Sequence, residues 1–413
     1  MAFGDIVKRF LVDTRPLKVP AYRRLWIGQV VSSVGVSVTV IAVSQHVWEL
    51  THSSFWVGML GLANLLPLVV FGLWGGAIAD AVDRRKLLVV GSAIAWASVL
   101  FILLIALFDA ASVPMLLAAV AVGATGFAIS SPTRGAIIPR LLPAELVPAA
   151  NALNSLGMMG IVVGPMIGGV ALAVSGYAAA YAVDFVLFAA SVYAALRLPA
   201  LPPQGVVTRP GARAIWEGLR FIAHTPILLM SFVVDIIAMV FALPRALFPE
   251  VVDARFGGST IALGWLTSAM AIGTVLGGLF SGWVGRVRRQ GLALTIVIAV
   301  WGLAVAAAGL VHELWLVVAF MAVGGVADMV SSVWRQSILQ LYAPDEMRGR
   351  MQGVFMVVVA GGPRLGDLRA GGTSEAFGLT TAWVGGGLAC AAAVLVVGLA
   401  VPGFRNYRPQ RQP

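Results

Sequence analysis

Charged residues inside long apolar stretches are the positions of this chain whose chemistry could carry a function. Such positions are costly in a membrane and are usually functional; they include Asp184, Asp235, Arg245, Asp328 and Arg364. A buried carboxyl group can bind a proton in one conformation and release it in another, above all where an arginine approaches it. Asp235 and Asp328 are the best candidates for such a proton carrier.

Static ion pairing is the alternative interpretation of these charges. Asp328 is followed one to two helical turns later by Arg335 and can pair with it. Asp367 can likewise pair with Arg364 or Arg369 in the same stretch. If Arg364 instead faces a cavity, its cation suits an anionic or catechol-bearing substrate, whereas a cavity dominated by acids favours amphiphilic cations.

The composition excludes a soluble protein with a polar surface. Hydrophobic residues make up 60% of the 413 residues and charged residues only 11%, with a mean hydropathy of +0.94. A soluble chain carries about a quarter charged residues, so lipid must be the solvent for much of this surface. The net charge of +10 comes from short basic clusters between apolar runs, which argues against a nucleic-acid-binding face.

Sequence motifs for catalysis are absent. The chain has no GxxxxGK[ST] phosphate loop, no HExxH, no CxxC and no GxSxG. Its single cysteine, Cys390, has no partner for a disulfide or a metal site. We therefore expect no enzymatic activity, no cofactor and no bound metal.

Twelve stretches are long and apolar enough to cross a bilayer as helices, which takes about 20 residues each. We number them spans 1 to 12, near 25–47, 55–79, 86–108, 113–134, 150–174, 178–197, 227–249, 261–285, 291–311, 314–335, 348–370 and 378–401. The chain then divides into a lead (1–24), a six-helix bundle (25–197), a linker with a surface helix (198–226), a second six-helix bundle (227–402) and a tail (403–413).

Arginine and lysine residues lie almost entirely on one side of these spans. They cluster in the lead, the linker, the tail and the loops after even-numbered spans, as at Arg84, Arg140, Arg286 and Arg348, while the other loops offer only Arg255. Because cytoplasmic loops carry such an excess, we expect both termini and the linker to be cytoplasmic.

The two bundles are related by an internal repeat. The run RGAIIPRLLPAE, which starts at Arg134, matches RQSILQLYAPDE, which starts at Arg335, with arginine, proline and glutamate at identical spacing. Both runs begin where an even-numbered span meets the cytoplasm. Parallel halves related by an axis along the membrane normal are one architecture of transporters.

A polar motif, GGAIADAVDRRK, closes span 2 and enters the next loop. It resembles the signature loop of the major facilitator superfamily and contains Gly76, Asp80, Asp83, Arg84 and Arg85. The glycine permits close helix approach. The acids can receive a helix N-terminus or an arginine, and the arginines can pair with acids across the seam between the halves. Such contacts would form a latch that holds one conformation and releases in the other.

A second motif, GIVVGPMIGG in span 5, resembles the antiporter motif found in exporters of that superfamily. Pro165 removes a backbone hydrogen bond and bends the helix. Gly160, Gly164, Gly168 and Gly169 leave a groove for a close neighbour, which we expect to be the glycine-rich span 8.

Over nearly its whole length the chain resembles the enterobactin-exporter group of this superfamily. The similarity rests on both motifs and on THSSFWVGMLGL, ALFPEV and VSSVWRQSILQLYAPDEMRGRMQGV. It implies an all-α membrane protein with the major facilitator fold. It further implies a monomeric exporter in the bacterial cytoplasmic membrane, with a small molecule and protons as partners. Broad multidrug or macrolide efflux is the alternative within this class. An importer is disfavoured by the span 5 motif, and a non-transporting receptor or scaffold is the alternative from another class.

Overall fold

The computed structural model describes residues 13–157, 160–202, 212–342 and 348–408, and nearly all of them are helical. The long helices are Pro20–Thr51, Ser54–Ala81, Arg84–Leu107, Val113–Leu141, Val147–Gly157, Gly160–Leu196, Ala212–His224, Pro226–Phe241, Phe248–Phe256, Thr260–Leu279, Gln290–Leu310, Leu314–Tyr342, Arg348–Phe377 and Leu379–Ala400. Short 3-10 turns lie at Arg15–Lys18, Ala144–Leu146, Arg245–Leu247 and Ser281–Arg286.

Twelve crossings can be assigned to these helices. Ten helical segments of the described chain are long and apolar enough to cross a membrane. One of them, Gly160–Leu196, is interrupted at Gly176 and supplies both the end of span 5 and all of span 6. The φ of 71° at Gly176 is one that glycine adopts readily and other residues avoid. With Arg348–Phe377 as span 11, the prediction of an all-α chain with about twelve spanning helices is confirmed.

Span 7 differs from its prediction as one continuous helix. Its first helix ends at Phe241, a 3-10 turn covers Arg245–Leu247, and a second helix begins at Phe248. Pro244 has no N–H to donate and disfavours a helical conformation in the residue before it. Arg245 therefore lies in a break of the backbone, which corrects the expectation that it lies within a helix.

Close contacts between the two halves follow two pairs of helices, span 2 with span 11 and span 5 with span 8. A Cβ atom added at Gly61 would lie 2.7 Å from the carbonyl oxygen of Arg364. One added at Gly264 would lie 2.7 Å from the carbonyl oxygen of Pro165. Glycine thus lets the backbones of the two halves touch, as small residues do at helix interfaces in membranes.

The distal part of this seam is closely packed. The even number of crossings places both ends of the described chain at one end of the bundle, here the terminal end; the opposite end is the distal end. Contacts between spans 5 and 8 run from Thr260, near the distal end, to Ser268, whose hydroxyl donates to a span 5 carbonyl at 2.7 Å. Farther toward the terminal end, a Cβ atom at Gly278 would meet no atom within 4 Å. The distal part of the seam between spans 5 and 8 is therefore in close contact.

Candidate functional site

Three charged side chains form a group between spans 7 and 10, which we call the triad. Arg335 contacts the carboxylate of Asp235 directly, and its Nη2 lies 3.8 Å from Oδ1 of Asp328. Asp235 and Arg335 are only 1% and 3% exposed, whereas 28% of the Asp328 side chain is exposed. Two carboxylates share one guanidinium, so the formal charge is −1 and one bound proton would bring it to zero.

The triad places both candidate acids beside one arginine. Asp328 lies beside Arg335, as the static alternative predicts, but Asp235 is the closer partner. The charge pattern of the loops places Arg335 among the cytoplasmic basic residues, whereas the structure buries it in the interior. Its Nε donates to the Ser331 hydroxyl at 3.2 Å, which fixes the guanidinium from its own helix.

Arg364 joins the two halves near the middle of the bundle. Its Nε donates to Oδ1 of Asn64 on span 2 at 2.7 Å, and a second guanidinium nitrogen donates to the Ala360 carbonyl. Arg364 forms no ion pair with Asp367, so that predicted static pair is absent. Arg245, in the break of span 7, is exposed and interacts electrostatically with both Arg364 and Asp367.

Arg369 of span 11 binds the end of the first helix of span 7. Arg369 donates to the carbonyl oxygens of Val240 at 3.0 Å and Phe241 at 2.6 Å, which are left without helical partners by the break. Asp367, two residues earlier on span 11, interacts electrostatically with Arg245 and Arg364. The predicted pair between Asp367 and Arg369 is not formed, because Arg369 binds backbone carbonyl groups instead.

A second polar cluster closes the distal end, and we call it the distal clasp. The Glu250 carboxylate accepts from the hydroxyl of Ser54 at 2.5 Å and from that of Ser374 at 2.7 Å. Beside them, Ser53 donates to Glu375 at 2.8 Å. Two serines of the first half are thus bound to two glutamates of the second half. None of these residues was identified from the sequence as a site residue.

The predicted latch motif is only partly described. Gly76 and Asp80 lie in the helix of span 2, within residues 72–81, whose side chains lie outside the described ones. Asp83 caps the helix of span 3, accepting from the backbone N–H of Arg85 at 2.8 Å. It also accepts from the N–H of Leu201 at 3.4 Å, so the same carboxylate binds the start of the linker.

The two arginines of this motif bind carbonyl oxygens of their own half in this conformation. Arg84 donates to Ala136 at the end of span 4 at 3.0 Å, and Arg85 donates to Leu196 at the end of span 6 at 2.8 Å. These contacts brace the terminal ends of spans 3, 4 and 6. Pairing of the arginines with acids of the second half stays a prediction.

The glycines of the span 5 motif face two different neighbours. Gly160, Gly164 and Gly168 lie against span 1 of the same half, where a Cβ atom would overlap with atoms of that helix. Gly169 lies against span 8, and its carbonyl oxygen accepts from the Thr260 hydroxyl at 2.8 Å. The expectation that all four face span 8 is therefore corrected for three of them.

Asp184, the remaining predicted acid, lies apart from the triad. It is completely buried between spans 6 and 1, and neither of its carboxyl oxygens accepts a hydrogen bond. Gly35 of span 1 makes the room for it, since a Cβ atom there would lie 2.5 Å from Oδ1.

Comparison with known proteins finds similarity over almost the whole chain. Residues 13–408 match the family MFS_3, described as transmembrane secretion effector. The chain is 29% identical over 362 residues to the enterobactin exporter EntS of Shigella boydii serotype 18, which covers 86% of this chain and 85% of that protein. It is 28% identical, over the same shares, to EntS of Escherichia coli O139:H28.

Solved structures show the same fold at low sequence identity. The nucleoside transporter NupG gives a TM-score of 0.74 at 16% identity, covering 94% of this chain and all of that one. A bacterial homologue of the human lysosomal transporter Spinster, in an inward-facing and unoccupied conformation, gives 0.71 at 18% identity over 95% and 97% of the two chains. A D-xylose–proton symporter gives 0.68 at 14%, over 95% and 100%. The predicted major facilitator fold is confirmed, and the chain belongs to the transmembrane secretion effector family of the major facilitator superfamily, a family of membrane transporters.

Proposed function

We propose that this chain is a proton-coupled antiporter that exports an enterobactin-like siderophore, or a related small secondary metabolite, by alternating access. The observation that carries the proposal is the triad. It holds a formal charge of −1 in a buried position, with one of its two acids partly accessible. Binding of a proton removes that charge and weakens the hold of the acids on Arg335, so that protonation and helix arrangement are linked.

The positive groups near the middle of the bundle favour an anionic substrate. Arg245 is exposed, and Arg364 is half-buried beside Asn64 at the seam between the halves. Guanidinium groups bind carboxylates and other oxygen anions with paired donors and also stack on aromatic rings. A catechol-bearing siderophore offers both features, and the curated relatives named above are enterobactin exporters.

The distal contacts and the charge distribution together support a conformation that is closed on its outer side. If the arginine-rich terminal end is cytoplasmic, the distal end, with its contacts between the halves, faces outward. In the outward-facing state we expect Arg84 and Arg85 to reach acids of the second half.

Broad drug efflux is the second candidate, and one observation favours it. Asp328 is the more exposed acid of the triad, with 28% of its side chain exposed, and a partly exposed carboxylate attracts amphiphilic cations. The two candidates therefore differ in which charges the substrate meets first, the arginines of spans 7 and 11 or the acid of span 10.

The test is uptake into inside-out vesicles that contain the protein, with a proton gradient imposed and then collapsed. Catecholate siderophores and lipophilic cationic drugs are compared in parallel. Asp235→Asn is the test variant. Asp109→Asn, in an exposed turn with φ 49° that asparagine tolerates, is the matched control.

We expect siderophore uptake that requires the gradient, is lost in Asp235→Asn and survives in Asp109→Asn. Uptake of cations alone would replace the siderophore with a drug as substrate. Uptake of siderophore that ignores the gradient would refute proton coupling. Gradient-dependent uptake that is unchanged in Asp235→Asn would remove the triad from the coupling step.

A further inference from the structure

A column of polar side chains, with one glycine among its members, runs through the first half along the contact between spans 1 and 6. On span 6 its members are spaced by four, three and seven residues, and on span 1 by four, seven and three, so each set occupies one face of its helix. The column comprises Tyr177, Tyr181, Asp184 and Ser191 of span 6 and Gly35, Thr39, His46 and Glu49 of span 1. No member belongs to the triad, which lies in the other half.

The centre of the column is an acid without a hydrogen-bond donor. Asp184 is completely buried, and neither carboxyl oxygen accepts a hydrogen bond. The hydroxyl of Thr39 interacts with it but does not form a regular hydrogen bond. An anionic carboxylate without donors or a counter-ion is strongly disfavoured in an apolar interior. The arrangement therefore suits a neutral carboxylic acid, which means a bound proton.

From Asp184 toward the distal end, the column continues through groups that can relay a proton. Tyr181 lies one helical turn away on the same face, is completely buried and places its hydroxyl 3.1 Å from Nδ1 of His46. The His46 ring stacks on Tyr177, with centroids 4.0 Å apart and planes 14° apart. Glu49 interacts electrostatically with all three of these side chains. An imidazole and a hydroxyl can each accept one proton while giving up another.

Toward the terminal end the column meets an arginine. The Ser191 hydroxyl, two turns from Asp184, accepts from Arg134 at 3.3 Å. Span 3 also packs on this part of span 6. The indole N–H of its Trp96 donates to the carbonyl oxygen of Phe185. Among the described residues, the other charged and titratable groups in or beside the column are therefore Glu49, His46, Tyr177, Tyr181 and Arg134.

We propose that Asp184 is a second proton-binding site, separate from the triad, and that Glu49, His46 and Tyr181 are its route to the distal end, with Tyr177 stacked on the His46 ring. A proton enters at Glu49 and passes through the two ring nitrogens of His46 to the Tyr181 hydroxyl; rotation of that hydroxyl away from His46 then delivers a proton to Asp184. No electron or leaving group moves, and each relay group keeps its charge, while His46 ends in its other tautomer and returns by a turn of its ring. A role in export rests on the proposed function; the occupancy of the site does not.

Infrared difference spectroscopy of the purified, reconstituted protein tests the site without any substrate. A protonated carboxyl group gives a C=O stretch that shifts when its proton exchanges for deuterium. We expect the wild type to show such a band at neutral pH and Asp184→Asn to lose it, with Asp109→Asn unchanged. If Asp184→Asn does not fold, Asp184→Glu is expected to shift the band. A band that survives both substitutions unaltered would overturn the assignment.

The rate of exchange tests the route. His46→Phe keeps a ring to stack on Tyr177 but removes both nitrogens, and we expect it to slow deuterium exchange of the Asp184 band at least tenfold. His312→Phe, at an exposed distal turn, is the matched control and should leave the rate unchanged. An equal rate in His46→Phe and wild type would refute the route. Failure of siderophore uptake in vesicles would instead refute the proposed function and leave both infrared results intact.

Discussion

The distal clasp yields a quantitative prediction because only part of it joins the two halves. Glu250 accepts from Ser54 of the first half and from Ser374 of its own half. When the distal end opens, the bond to Ser54 must break, whereas the bond to Ser374 can persist. Replacing Glu250 with alanine therefore lowers the free energy that favours the closed state over the open state by the contribution of one hydrogen bond.

The size of the effect follows from the kind of bond. A hydrogen bond to a charged group contributes about 1.5–3 kcal/mol, and loss of the acceptor also leaves the buried Ser54 hydroxyl without a partner. Because Glu250 is itself partly exposed, we take about 2 kcal/mol, which favours the distal-open state about 30-fold. Glu250→Gln keeps a neutral acceptor of roughly half the strength, so we expect about 1 kcal/mol, or about fivefold.

This equilibrium can be measured by double electron–electron resonance, which reports the distance between two spin labels, here attached at Ala110→Cys and His312→Cys. Both positions are exposed at distal turns, one in each half, and the native Cys390 is fully buried. The longer-distance population should grow in the order wild type, Glu250→Gln, Glu250→Ala. Glu375→Gln perturbs only an exposed contact and should have little effect. A change of less than twofold in Glu250→Ala would refute the clasp as a determinant of distal closure.

Further predictions concern the triad, the seam and the break in span 7. Arg335→Met leaves a buried carboxylate unpaired and should lower the free energy of unfolding by about 3–5 kcal/mol; adding Asp235→Asn should restore at least half, as measured by tryptophan fluorescence during denaturation. Gly264→Ala places a methyl group against a span 5 carbonyl and should favour distal opening in the same distance measurement, whereas Gly278→Ala, in open space on the same helix, should not. Arg369→Ala frees carbonyl oxygens at the break and should cost about 2–3 kcal/mol, with faster amide hydrogen exchange confined to the end of the first helix of span 7.

Hydropathy predicts the number of spans well because the length of a helix that crosses a bilayer is set by the bilayer. It predicts breaks poorly, as span 7 illustrates. The apolar run that ends at Leu243 is followed closely by ALFPEV, so hydropathy predicts one helix across both. Pro244, which lies between them, interrupts that helix. The break is stabilised by Arg369, which lies more than a hundred residues away in the chain. No periodicity within span 7 could have indicated that partner.

The charge pattern of the loops also has a limit, which Arg335 illustrates. The number of arginines near the ends of the spans predicts how the spans are oriented across the membrane. It does not distinguish an arginine that is exposed to water from one that is buried. Arg335 is 3% exposed and is the counter-ion of Asp235. Its match to Arg134 in the internal repeat was a usable signal, since a position kept in both halves is less easily explained by loop charge alone. The serines of the distal clasp gave no comparable signal, because polar residues are ordinary at the ends of spans.

The break in span 7 connects the two features on which transport would depend. Asp235 lies in the helix before the break and Glu250 in the helix after it, so one span carries an acid of the triad and the acid of the distal clasp. A continuous helix would force both acids to move as one rigid body. A break held by a side chain of span 11 lets the first part respond to protonation of the triad while the second part stays bound to Ser54. Release of the distal clasp then requires a change at span 11, which also binds Asn64 through Arg364. We therefore expect substitutions in span 11 to uncouple protonation from distal opening, whereas substitutions in span 7 alter one or the other.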